Sequence, residues 1–218
     1  MTAPAFIHLR LHSEYSITDG LTRVDQVVAQ AQADGMGALA LTDLANLFGM
    51  VKFYKAARGK GVKPLVGADV WVSNPEDRDK PSRVILLAAS HDGYLRLCDL
   101  LSRAWLANQH RGRAEIDKNW LREGTAGMIA LSGLLAGPGA GEIAQALAAG
   151  NPGLAEALAN EWAVLFPNRF YIEVQRDRSS SSANHIEQQL RRIVAVRLPP
   201  RAGRRVRRYA ASTKRCRS

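Results

Sequence analysis

The chain has 218 residues, 46% of them apolar, enough for one sizeable core or two small ones. Its net charge of +10 is unevenly spread: residues 191–218 hold eleven Lys/Arg and no Asp/Glu, which leaves 19 basic and 20 acidic side chains in the first 190. A near-neutral body argues against a nucleic-acid-binding domain, no uncharged apolar run reaches the ~18 residues of a membrane helix, and two cysteines make neither a disulfide framework nor a zinc motif.

Residues 6–11 alternate, with Ile7, Leu9 and Leu11 on one face and Phe6, His8 and Arg10 on the other, which predicts a strand. His8, Arg10, His12 and Glu14 stand where a secretory signal would be apolar, so the expected location is cytoplasmic, away from membranes. Thr22 reads as a helix N-cap with Asp25 three residues on. Val24, Val27, Val28 and Ala31 then follow at helical spacing up to Gly35. Residues 38–42 predict a short buried strand running straight into Asp43. Leu47, Met50, Val51 and Tyr54 mark a second helix, ended near Gly59–Gly61. Further strands are expected at 64–72 and 84–89, separated by a polar loop. A helix at about 94–108 and a strand at 127–132 come next. Two helices near 142–149 and 154–166, a strand at 170–175 and a helix from Asn184 complete the body. Strands alternating with helices predict an α/β domain with a mainly parallel sheet or barrel. In such folds polar residues at the carboxyl ends of strands are where chemistry collects. His12, Asp43, Asp69 and the Arg176–Asp177 pair all fall there, although strand ends also attract polar residues simply because they meet water.

The blocks "FIHLRLHSEYSITDGL", "GALALTDLANLFGMVKFYKAARGKGVKPLVGADVWV", "VILLAASHDGYLRLCDLLSRA", "GMIALSG" and "FPNRFYIEVQR" together resemble the N-terminal PHP (polymerase and histidinol phosphatase) domain of bacterial DNA polymerase III α subunits. The similarity runs from about residue 5 to about residue 190. It implies a distorted (β/α)7 barrel, incomplete at its C-terminus, with a cleft at the strand carboxyl ends. Metal-competent members hold zinc or manganese there, and such a cluster lowers the pKa of a bound water and stabilises developing charge in phosphoester hydrolysis.

Against that pattern His12, Asp19 and Asp69 match ligand positions. Arg10, Leu44, Arg83 and Asp177 stand where the family places histidines. Asp43 is kept beside Leu44. Arginine and leucine offer a metal no donor, so the resemblance implies a degenerate site with no bound metal. Ion pairs from Arg10 and Arg83 to Asp19 and Asp69 are expected to replace it. His8 is expected to be a packed or hydrogen-bonded structural histidine. His91, His110 and His185 read as surface or cap residues.

The expected organisation is a partial PHP domain over residues 1–190 and a basic tail over residues 191–218. The tail reads either as a nucleic-acid-binding arm or as the product of a frameshift with early termination. Its Gly203-Arg204-Arg205-Val206, read one nucleotide later, can encode Val-Val-Ala-Ser. The resemblance implies a structural role in DNA replication, docking the proofreading exonuclease and other replicase subunits, with DNA and magnesium handled by the rest of the parent polymerase. The alternative is a metal-dependent phosphoesterase, 3′–5′ exonuclease or pyrophosphatase.

Overall fold

The computed structural model describes residues 6–137 and 139–173. Asp177, the expected helix from Asn184 and the basic tail lie outside the described residues.

Helix α1 (Val24–Ala33) and helix α2 (Met50–Gly59) cover strand β1 (Ala38–Leu41). The pleat of β1 sends Leu39 and Leu41 towards Val24, Val28, Phe53 and Ala57 of the helices, and Ala40 to the opposite face. Helix α1 starts after Arg23, which makes no side-chain cap. The expected cap, Thr22, instead pairs with Ser13, its carbonyl accepting from the Glu14 amide at 2.8 Å. The pairing closes the loop that carries Asp19.

Strand β2 (Lys63–Val72) organises the sheet. Its first half pairs in parallel with β1, and Trp71 and Val72 pair in parallel with β5 (Arg113–Ile116). Its other edge pairs antiparallel with β3 (Ser82–Ala88). Helix α3 (His91–Ala107) and the short strand β4 (Gln109–His110) lead to β5, and helix α4 (Lys118–Arg122) leads on to strand β6 (Met128–Leu131). Helices α5 (Glu142–Ala148) and α6 (Pro152–Leu165) then precede strand β7 (Phe170–Tyr171). The order is β4-β5-β2-β3-β6-β7, with β1 also on β2.

The expectation of a mainly parallel sheet is corrected: three of the six pairings are antiparallel. The loop 73–81 between β2 and β3 is shorter than the dozen or so residues that a parallel crossover needs, so it makes a hairpin instead.

The predicted first strand is also corrected. Residues 6–11 run beside β1 without forming a ladder. The Ala40 amide donates to the His8 carbonyl at 3.0 Å and the Thr42 amide to the Leu11 carbonyl at 2.9 Å. Between those bonds the segment spends one residue more than β1 does, the count of a β-bulge. The bulge breaks the strict alternation. Leu9 packs inside the sheet with Ile85 and Leu131, whereas Leu11 packs with the α1–α2 layer.

Outside the sheet, Leu97 and Leu100 of α3, Trp162 of α6 and Phe166, which follows α6, pack on Val70, Val84 and Leu86. Its inner face holds a smaller cluster of Ala40, Ile85, Leu87 and Leu131. Asp69 and Arg83 lie on that same inner face, at the level where β2 ends and β3 begins.

Candidate functional site

Asp69 is fully buried on the inner face of β2 and is the hub of the site. Its Oδ2 accepts from Arg10 Nη1, from Arg83 Nη2 at 2.7 Å, and lies 3.1 Å from His12 Nε2. Its Oδ1 accepts from Arg83 Nε at 3.1 Å. Arg83 is paired with Trp71 in the antiparallel ladder and reaches Asp69 along the diagonal, while its guanidinium also lies 5.1 Å from the Trp71 ring and 3.5 Å from Asp19 Oδ2. The bulge at residues 8–11 aims Arg10 inward. Burial pushes the Asp69 carboxyl up, but Arg10, His12 and Arg83 more than offset that and hold it below the usual carboxylate range.

Arg10 reaches across the sheet. Its Nε donates to Glu173 Oε1 at 3.0 Å and its Nη2 to Glu173 Oε2 at 2.9 Å, a fork-to-fork pair between groups 163 residues apart. Glu173 follows β7, and its amide is held by Ser132 Oγ at 2.9 Å. Burial lowers the affinity of Arg10 for its proton, yet Asp69 and Glu173 together leave it raised. Among the described residues no ladder joins β7 to the first segment, and this side-chain pair spans the gap.

His12 lies with Nδ1 2.9 Å from Asp19 Oδ1, and Ser16 Oγ donates to the same oxygen at 2.6 Å. Asp43, just beyond β1, accepts from the Ser13 amide at 2.6 Å and from Ser13 Oγ at 2.9 Å. Burial pushes its carboxyl up, against the Ser13 hydrogen bonds. Asp43 therefore fixes the turn after His12 rather than the arginines. Leu44 contributes backbone: it bridges to Asp69, and its amide donates to Ser16 Oγ at 3.0 Å.

The structure thus brings Arg10, His12, Asp19, Asp69 and Arg83 together, with Asp43 and Leu44 immediately behind. Arg83 reaches both expected carboxylates, whereas Arg10 pairs with Asp69 and Glu173 and not with Asp19. Glu173 was absent from the residues singled out in sequence, although it follows a strand and precedes the expected Asp177. His8 is half-buried, edge-on to Phe6 at 4.6 Å, and burial lowers its pKa against the pull of Asp34. His91 opens α3, and His110 Nε2 lies 2.8 Å from Asp79 Oδ1.

This donor set does not fit a metal ion. Both Asp69 oxygens are spent on guanidinium N–H groups, and two fixed cations occupy the space where a metal would need lone pairs. Among the described residues no three His, Cys, Asp or Glu side chains are arranged to hold one.

The sequence model of the PHP domain matches residues 8–177. The chain is 43% identical over 192 residues to the DNA polymerase III subunit alpha of Pseudomonas fluorescens, covering 88% of this chain and 16% of that protein. The subunit of Neisseria meningitidis serogroup A is 45% identical over 178 residues, and that of Escherichia coli K12 40% over 176, each covering 81% of this chain and 15% of the relative. The chain therefore spans about one sixth of the length of these relatives. Among solved structures, an amidohydrolase from Chromobacterium violaceum superposes with a TM-score of 0.53 at 18% identity, covering 86% of this chain and 84% of that one. A candidate metal-dependent phosphoesterase from Bifidobacterium adolescentis gives 0.50 at 12% identity, with 88% and 85% covered. These two likenesses concern the fold, an α/β architecture of the PHP type. With the family match spanning most of its length, and its α-subunit relatives aligned over the same stretch, the chain belongs to the PHP domain family.

Proposed function

We propose that this chain is the PHP domain of a replicative DNA polymerase III α subunit in which ion pairs have taken over a former metal site. In this reading His12, Asp19 and Asp69 are remnants of the ligand set. Arg10, Leu44 and Arg83 are the replacements, and Asp43 supports the turn beside them. The observation that carries it is Asp69, buried and held on both oxygens by two arginines. A site so filled supplies no Lewis acid and no activated water, so the domain acts as a scaffold. Its partner is the proofreading exonuclease subunit, within the wider replicase. Nucleotidyl transfer, with its magnesium ions and its hold on DNA, belongs to the part of the α subunit that this chain does not match. The domain extends over residues 1–190, and the basic residues 191–218 stand apart from it.

Titrating the full chain with the exonuclease subunit of the same organism is expected to give saturable binding. A chain that melts cooperatively yet binds no exonuclease would sink the scaffold reading.

A further inference from the structure

A groove of about 330 Å3 lies between α2 and the first turn of α3. Met50 and Tyr54 form one wall, Tyr94 the other, and Pro64, Val66 and Ala88 line the floor.

The exposed face of α2 beside that wall has a definite chemistry. Val51, Tyr54, Lys55 and Arg58 fall at i, i+3, i+4 and i+7, one stripe of the helix, and all four are exposed. The opposite face, Phe53 and Ala57, is fully buried. Lys52 of the same helix is spent on Glu14 at 3.1 Å and Asp25 at 3.5 Å. The side chains of Lys55 and Arg58, by contrast, have no ion pair or hydrogen bond among the described residues. An open, largely apolar trough, with two unneutralised cations on the exposed face of the helix that walls it, is complementary to apolar side chains flanked by carboxylates. A nucleic acid suits it less, because two cations give little counterion release.

We propose that the α2–α3 groove docks an acidic peptide segment of a protein partner, with one or two apolar side chains in the trough and carboxylates on Lys55 and Arg58. This rests on the scaffold reading above and adds to it the surface and the chemistry of the partner. The test uses the full chain and two variants, Lys55→Glu/Arg58→Glu and Tyr54→Ala, whose melting curves should match the parent because all three side chains are exposed. Panning a random displayed peptide library on the full chain should enrich peptides with Asp/Glu around apolar anchors. Charge reversal should weaken them about tenfold, and loss of the aromatic wall about thirtyfold.

Failure to enrich such peptides would overturn the assignment. So would acidic peptides that bind the parent and both variants equally, since capture by the basic residues 191–218 would explain them. A single-stranded 30-nucleotide DNA whose affinity falls with charge reversal, while peptide binding does not change, would give the groove to nucleic acid instead. Titration with the exonuclease subunit separates the two proposals. Equal binding by parent and variants leaves the scaffold role standing and refutes the groove. Selected peptides without exonuclease binding do the reverse.

Discussion

Asp69→Asn is expected to destabilise the fold by about 3–5 kcal/mol, the range for removing one partner of a buried ion pair. Asparagine keeps the shape and one acceptor oxygen, so the loss reports charge rather than volume. Arg83 would be left with only the more distant Asp19, its side chain 7% exposed, and Arg10 with Glu173 alone. Burying an uncompensated guanidinium is what makes the change expensive, not the forfeited attraction by itself. The pH dependence gives a second signature. A carboxyl held below its unfolded value, about 3.9, adds stability above that pH and loses it as pH falls through the lower folded value. Asp43 runs the other way, because burial raises it, and its share is gained on acidification. Parent and Asp69→Asn differ only in the first component, so the variant should show a flatter loss of stability below about pH 4. Urea unfolding across that range reads both effects. A cost under about 1 kcal/mol, or identical acid profiles, would mean that Asp69 is not the hub of the site.

Gly133→Ala is expected to cost about 2–5 kcal/mol, combining a left-handed residue with an overpacked contact. Gly133 has φ +87°, and a Cβ there would sit 2.1 Å from the Arg83 carbonyl oxygen. The loop that follows β6 closes on Arg83 along its length. A Cβ on Gly139 would meet Arg83 Cδ at 2.2 Å, and one on Gly141 the Ser132 carbonyl oxygen at 1.8 Å. Backbone atoms of β3 cannot move aside without breaking the ladders to β2 and β6. Gly150→Ala is the control, since its φ is +73° but nothing lies within 4 Å of the added carbon. It should show the left-handed cost alone, about 1–2 kcal/mol. If the two variants unfold at the same denaturant concentration, the loop does not clamp Arg83.

Most elements were legible as short apolar runs or as apolar residues at helical spacing. β1 is such a run, buried throughout, and α2 was legible as a helix from Leu47, Met50, Val51 and Tyr54, but not in the face it buries: Phe53 and Ala57 go inside while Val51 and Tyr54 stay exposed. The first segment misled because a bulge leaves no trace in an alternating pattern: Leu9 and Leu11 look equivalent in sequence and part company in space. The antiparallel hairpin could have been anticipated from the length of the loop at 73–81. At the site, the local neighbours were accessible, since His12 and Asp19 follow an extended segment that runs beside β1, Asp43 follows β1 and Asp69 lies in the second half of β2. The Arg10–Glu173 pair was not. Its two halves lie 163 residues apart, and nothing local in "FYIEVQ" distinguishes a carboxylate that meets a guanidinium across the sheet from one that faces water.

Elemental analysis of the purified full chain, after loading with zinc or manganese and exhaustive dialysis, tests the central claim most directly. A site whose hub carboxylate is filled by two arginines should retain well below one equivalent of either metal per chain. Retention of one or more equivalents that Asp69→Asn abolishes would contradict the account, because it would show that the arginines yield the carboxylate to a metal.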